Sequence, residues 1–380
     1  MNAIDKKVVT QSAASRRRFL TGAVAATAGA SALIAAPHAA RAQEVVIKMQ
    51  GAWGGGIFKE FAIDYVNRVN EMSGGTLRID YLDVDAVVKT PEMQTAVHNG
   101  VLDAAHHVTA YWYSKHAAAS LFGTGPCWGW TANQLIGWFA YGGGRELYEE
   151  LMWDILGLNL VGFLTGPMPA QPFGWFNKSV NTVADIQGLK YRTVGLAADV
   201  LQAMGMSVVQ LPGGEIQPSM ERGVIDAAEF NNPSSDKDFG MQDVSKDYYL
   251  ASYHQSQETF EIIFNKGIFD GLSDQHKAIL RYASEAASAD MSWKYQDRYS
   301  ADLIALQTEH GVNVHRTSDE IMAAQLDAWD QVLVAFVEAD PYFAKVVESQ
   351  KAWAKRVGAY EITNAPDYTG AYIHYFGNPY

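Results

Sequence analysis

Two stretches of the chain, 123 residues apart, repeat one pattern. Residues 92–105 read EMQTAVHNGVLDAA and residues 215–228 read EIQPSMERGVIDAA, both fitting E-x-Q, five residues, then G-V-[I/L]-D-A-A. The pattern reads as a helix, a glycine whose positive φ ends it, and a short buried strand. The expected parts are a helix over 92–98, a stop at Asn99-Gly100 and a strand over 101–108. The second copy gives a helix over 216–222, a stop at Gly223 and a strand over 224–230. Asp103 and Asp226 are expected to bond locally where each strand starts. Solenoid repeats recur every 20–50 residues or so, so this wider spacing points instead to two similar α/β lobes. The copies end differently: His106-His107 in the first, Glu229-Phe230 in the second.

Residues 1–42 stand apart. Ser15-Arg16-Arg17-Arg18-Phe19-Leu20 is a twin-arginine pattern, an apolar Ala/Gly-rich stretch follows over 21–36, and Ala40-Arg41-Ala42 offers small residues for cleavage. This reads as a Tat-type export signal, which puts the mature chain, 43–380, in the periplasm. Losing six basic residues and one acidic residue with that segment moves the formal charge from −13 to −18. So acidic a chain is a poor partner for nucleic acid or anionic lipid. An anionic ligand would need local positive groups working against that field. No later stretch approaches the about 18 consecutive apolar residues of a spanning helix. Cys127 is the only cysteine; it can form no intramolecular disulfide and is expected to be a small buried hydrophobe.

Residues 44–50 alternate apolar and polar and predict a strand. A glycine-rich loop over 51–56, a helix over 57–73 and a strand over 77–82 follow. This β-α-β order predicts a largely parallel sheet with helices on its faces. Further on, the pattern predicts a helix over 134–153 despite Gly142-Gly143-Gly144, a strand over 158–164 and a rigid proline loop over 167–172. Strands over 173–177, 188–192 and 260–265 come next. Beyond Leu272 the chain turns helical over 274–311 and 318–356. Ile321, Leu326, Trp329, Leu333, Phe336 and Val337 recur there as one apolar stripe, suited to packing on the lobes or to a subunit interface.

No nucleophile elbow, P-loop, H-E-x-x-H or paired C-x-x-C occurs. His106 and His107, as neighbours in a strand, point to opposite faces and cannot easily share an ion, so structural histidines are expected. Trp128, Trp130, Tyr111, Trp112 and Tyr113 are an aromatic concentration suited to core and cleft wall. Ligands of open α/β sheets sit at the carboxyl ends of strands. Gln171 after the proline loop, Arg192 ending LKYR, Glu229-Phe230 ending the repeated strand, and Gln255 before FEIIFN all fit that place. An arginine can hold a carboxylate bidentately, or serve in a structural salt bridge. A glutamate, two amide oxygens and a backbone carbonyl are hard oxygen ligands for Ca²⁺ or Na⁺.

The G-V-[I/L]-D-A-A-E element, D-I-Q-G-L-K-Y-R over 185–192 and I-F-N-K over 263–266 resemble the DctP-type substrate-binding subunits of TRAP transporters, over about residues 45–360. The resemblance implies a two-lobed periplasmic binding protein of the Venus-flytrap kind with long C-terminal helices. It is most similar to the branch that binds lactate or 2-oxo acids such as pyruvate with a metal ion. The resemblance places ligand contacts on Gln171, Arg192, Phe230 and Gln255, and metal contacts on Glu229, Phe230, Gln255 and Gln171. The branch carries tryptophan where this chain has Phe230, a change that leaves a backbone carbonyl unaffected. It carries glutamate in 2-oxo acid binders, and glutamine in a lactate binder, where this chain has Gln255. One glutamate plus one monocarboxylate balances a doubly charged cation, which favours Ca²⁺, with Na⁺ the alternative. The implied partners are a small organic acid, the TRAP membrane permease and a second copy of the chain, joined through C-terminal helices. The implied first lobe spans about 43–165 plus part of 229–275, the second about 166–228 plus later segments, and the helices about 274–357. Competing readings are a periplasmic metal-dependent hydrolase or lyase using Glu229, His107 and Asp103, and the same scaffold binding an aromatic or sugar acid.

Overall fold

The computed structural model describes residues 44–379; the expected export signal lies outside them. Its strands are β1 (Val45–Gly51), β2 (Leu77–Leu82), β3 (Ala104–His107), β4 (Leu160–Met168), β5 (Gly174–Phe176), β6 (Lys190–Arg192), β7 (Ser207–Val209), β8 (Ala227–Ala228), β9 (Asp247–Leu250), β10 (Glu258–Asn265) and β11 (Asn313–Arg316). They form two sheets, one ordered β2-β1-β3-β10-β4 and the other β11-β9-β5-β8-β6-β7. Each sheet is the centre of one lobe of an α/β fold. The largely parallel expectation needs correcting. β1 runs parallel to β2 and β3, but β10 is antiparallel to both β3 and β4, and β5 is antiparallel to β8 and β9. The chain leaves the first sheet after β4 and returns into it through β10, entering in the opposite direction.

Both copies of the repeat fold as helix, stop and strand. Their helices are Met93–His98 and Ile216–Glu221, and Gly100 and Gly223 take φ of 72° and 68°. The strands are shorter than expected, because bends occupy 101–103 and 224–226. The aspartates do not bond locally. Asp103 Oδ2 accepts from Lys48 N at 2.8 Å and Asp226 Oδ2 from Lys190 N at 3.0 Å. In return Asp103 N donates to Lys48 O at 3.2 Å, and Asp226 N to Lys190 O at 2.8 Å. Each aspartate thus ties its bend to the neighbouring strand, β1 in one sheet and β6 in the other.

Other expected elements are interrupted where backbone chemistry demands it. The helix over 134–153 splits into Ala132–Tyr141 and Gly144–Glu150, with Gly143 at φ 84° between them, and a π-helical turn follows at Leu151–Ile155. β4 runs on to Met168 and absorbs the start of the proline loop. The segment 318–356 breaks at Pro341, whose ring cannot continue a helix. Helices Asp319–Ala339 and Pro341–Asn364 result, and Asp340 caps the second through Tyr342 N at 2.8 Å. The helical part thus runs past residue 357 to Asn364, and a further helix, Tyr368–Phe376, follows. Of the apolar stripe, Ile321, Trp329 and Leu333 are buried and Phe336 stacks on Phe343, while Leu326 and Val337 are 40% and 36% exposed. Cys127 is half-buried rather than buried.

Candidate functional site

Beyond β8 the chain continues as Glu229-Phe230-Asn231-Asn232, and Asp236 holds this loop in place. Its Oδ1 accepts from the N–H groups of Asn231 and Asn232, each at 3.1 Å, and its Oδ2 from Trp175 Nε1 at 2.9 Å. Burial pushes the Asp236 carboxyl up to about 6 against these bonds. The Phe230 ring lies between the two lobes, 5.8 Å from Phe58 and 4.3 Å from Phe239.

β6 and β8 are neighbours with Arg192 opposite Ala228, so Arg192 reaches Glu229. Both residues are buried. Arg192 Nη1 donates to Glu229 Oε1 at 3.0 Å and to its carbonyl at 3.2 Å, and Nε donates to Leu211 O at 2.9 Å. Burial pushes the Glu229 carboxyl up to about 7, with Arg192 the chief opposing influence. Glu229 Oε2 lies outside any well-formed hydrogen bond, although the Thr193 hydroxyl is near enough to ease its charge.

Gln171 and Gln255 stand on two of the three crossovers between the sheets, residues 169–173 and 251–257; the helix Asp274–Thr308 lies on the third. Gln171 N donates to Gln255 O at 3.0 Å, and Gln171 Nε2 to Gln255 Oε1 at 2.9 Å. Gln255 Nε2 donates to Thr193 Oγ1 at 3.0 Å. Gln171 Oε1 is buried without a hydrogen bond. Sequence reasoning missed Glu258, the buried first residue of β10. Its Oε2 accepts from Gln171 Nε2 at 2.6 Å and from Asn231 Nδ2. Burial, and then the charge of Glu229, push its carboxyl up to about 8. The run ETFEIIFN carries two glutamates, Glu258 and Glu261, and nothing in its pattern sets Glu258 apart.

A cavity of 640 Å³ adjoins this cluster. Trp53, Val84, Lys89, Pro91 and Tyr111 line it from segments joined to the first sheet, and Val194, Leu211, Pro212, Gly213 and Phe239 from segments joined to the second. Two residues connect cavity and cluster. Leu211 carries the carbonyl that Arg192 grips. Tyr111, whose hydroxyl burial pushes up to about 12, feels the charges of Arg192, Glu258 and Glu229. The aromatic run thus divides as expected: Trp112 and Trp130 are buried and Tyr111 faces the cleft.

The two histidines serve the first sheet instead. His106 is buried among Phe61, Phe260 and Trp53, with both ring nitrogens unbonded, and burial pushes it down to about 3. His107 Nδ1 sits 3.0 Å from Glu261 Oε2, which also accepts from Trp112 Nε1 at 3.1 Å. Asp103 is engaged with Lys48. None of the hydrogen bonds or ion pairs of His107 and Asp103 involves Glu229, so the hydrolase constellation is not assembled.

The donors present suit a hard cation. Glu229 Oε2 and Gln171 Oε1 are buried oxygens without bonds, and buried polar atoms of that kind call for a partner. Carboxylate and amide oxygens are the ligands Ca²⁺ and Na⁺ accept. Among the described residues no group of three or more His, Cys, Asp or Glu gathers as a ligand set, so the cluster is mixed rather than purely acidic. Two charged groups lie beside the expected one glutamate: Arg192 is bonded to Glu229, and Glu258 is a second buried carboxylate.

The family model for bacterial extracellular solute-binding proteins, family 7, matches residues 57–340. A monocarboxylate 2-oxoacid-binding periplasmic protein of Nostoc sp. is 30% identical over 302 residues, covering 79% of this chain and 81% of the relative. A TRAP transporter solute-binding protein from Bordetella bronchiseptica, described as a mixed-occupancy dimer with copurified calcium and picolinate, has a TM-score of 0.81 at 26% identity. The match covers 88% of this chain and 97% of that one. One from Pseudoalteromonas atlantica with bound sodium and pyruvate has a TM-score of 0.80 at 29% identity, covering 88% of this chain and 100% of the other. Such proteins bind solutes for transport and are not enzymes. The chain belongs to the DctP family of bacterial extracellular solute-binding proteins, the solute receptors of TRAP transporters.

Proposed function

We propose that this receptor binds a small monocarboxylate, lactate or a 2-oxo acid such as pyruvate, together with Ca²⁺ or Na⁺, and delivers it to its membrane permease. One observation carries the reading. A buried Arg192–Glu229 pair, flanked by the unbonded oxygens of Glu229 and Gln171, lies where the crossovers meet. Nη2 of Arg192 takes the ligand carboxylate. Glu229, Gln171, Gln255 and the Phe230 carbonyl would hold the cation, which would supply positive charge to the ligand oxygens. The lobes hinge about 169–173 and 251–257, and closure excludes water and strengthens each charged contact. The Nostoc relative, and the neighbours with pyruvate or picolinate beside a cation, support this choice of ligand class.

The 640 Å³ cavity and its aromatic wall leave room beyond a three-carbon acid, which favours 2-oxo acids with longer or aromatic tails. Export by the Tat pathway to the periplasm fits the family and the twin-arginine segment. A homodimer forms through the C-terminal helices. In its favour, no residue of Tyr368–Phe376 is buried, although Tyr368, Tyr372, Ile373, Tyr375 and Phe376 are large and apolar. Contiguous apolar surface of this kind marks interaction sites. A thermal-shift screen tests the ligand class, since binding raises the melting point by mass action. Lactate, pyruvate and longer 2-oxo acids should raise it, and a chelator in sodium-free buffer should abolish the rise. A rise with neutral sugars and none with any carboxylate would refute the class.

A further inference from the structure

Glu258 has a place in the site that the resemblance did not give it. It is buried at the start of β10, and its Oε2 takes the Gln171 amide at 2.6 Å and the Asn231 amide. The Gln171 Nε2 group therefore faces two acceptors at once, Glu258 Oε2 and Gln255 Oε1. A flipped amide would set oxygen against both. Its Oε1 is thereby turned the other way, buried and unbonded, as Glu229 Oε2 is. One amide thus links Glu258 to the oxygens left for a cation.

The charges decide which cation. Asp236 is taken up by the Asn231 and Asn232 N–H groups and Trp175; of the remaining charges Arg192 offsets Glu229, to which it is bonded at 3.0 Å, and Glu258 leaves one negative charge. A bound monocarboxylate adds another. A divalent ion brings the closed site to neutrality, whereas Na⁺ leaves a buried negative charge, which is costly in a dry interior. A cation in the cluster itself favours the ionised form of both glutamates.

We propose that Glu258 is the second anion of the cation site, that it sets the site for a divalent ion, and that it turns the Gln171 carbonyl toward that ion. This rests on the receptor reading above. The test is calorimetric titration of Ca²⁺ into the chelator-stripped mature protein, alone and with saturating pyruvate, for wild type and Glu258→Gln. The variant should bind Ca²⁺ about tenfold or more weakly, while Na⁺ supports its pyruvate binding at least as well as in wild type. Unchanged Ca²⁺ affinity, in a variant whose cation-free melting curve matches wild type, overturns the proposal. Wild type alone provides a second test. If Na⁺ supports its pyruvate binding as tightly as Ca²⁺ does, the divalent assignment is wrong even if the variant fails to fold. The two readings also fail separately. Ca²⁺ binding that depends on Glu258 but ignores pyruvate upholds Glu258 and sinks the monocarboxylate receptor. Equal Ca²⁺ affinity in the two proteins, tightened by pyruvate in both, does the reverse.

Discussion

Side chains buried without bonds tell more about this protein than those with ordinary partners. Gln171 Oε1 and Glu229 Oε2 are the oxygens left over for the proposed cation, whereas the unbonded His106 ring is the cost of filling an aromatic core with imidazole. Folded, His106 is held neutral with its pKa near 3, against an ordinary 6.5. Below pH 6.5 the unfolded chain takes up a proton that the folded chain refuses. Stability from this residue is thus complete above pH 6.5 and is lost as pH falls toward 3. At pH 5 the loss is about 2 kcal/mol, taking roughly 1.4 kcal/mol per pH unit. His106→Phe, which keeps the ring packing, should remove that share. Urea unfolding at pH 7 and pH 5 should show a smaller difference for the variant than for wild type; an equal difference would contradict it. Arg192, Glu229, Gln171 and Gln255 could be picked from the sequence because strand ends and hard donors are visible there. Glu258 could not, since its role depends on a partner 87 residues earlier on another crossover.

The repeated helix–stop–strand element shows which local structure the chain states outright. Its glycines need a positive φ, and that requirement is visible in the letters. The cross-strand bonds of Asp103 and Asp226 are not, because Lys48 and Lys190 lie 55 and 36 residues away. Gly100→Ala and Gly223→Ala should each destabilise by about 1–2 kcal/mol, the usual cost of a Cβ in left-handed backbone. Nothing lies within 4 Å of the Cβ position at Gly223, and only the Asn265 side chain touches that at Gly100. The penalty is then conformational, and the two melting curves should shift alike. A neutral result at either position would mean that its turn is not held as described. The antiparallel entry of β10 was hidden for a different reason. A strand's direction follows from where the chain has been, and no period in ETFEIIFN records it.

At the largest distances the chain is two sheets joined by crossovers, two of which carry Gln171 and Gln255, so the proposed ligand binding and lobe closure would involve the same residues. The exposed helix Tyr368–Phe376 is the surface proposed for a second copy. Ending the chain after Asn364 should convert a dimer into a monomer in light scattering, with ligand affinity unchanged. A dimer that persists would place the interface elsewhere. The receptor reading itself is best tested by calorimetric titration of pyruvate into chelator-treated wild-type protein in sodium-free buffer, before and after Ca²⁺ or Na⁺ is restored. The structure predicts saturable one-to-one binding only when the cation is present. Equal binding without the cation, or conversion of pyruvate to another product, would contradict it.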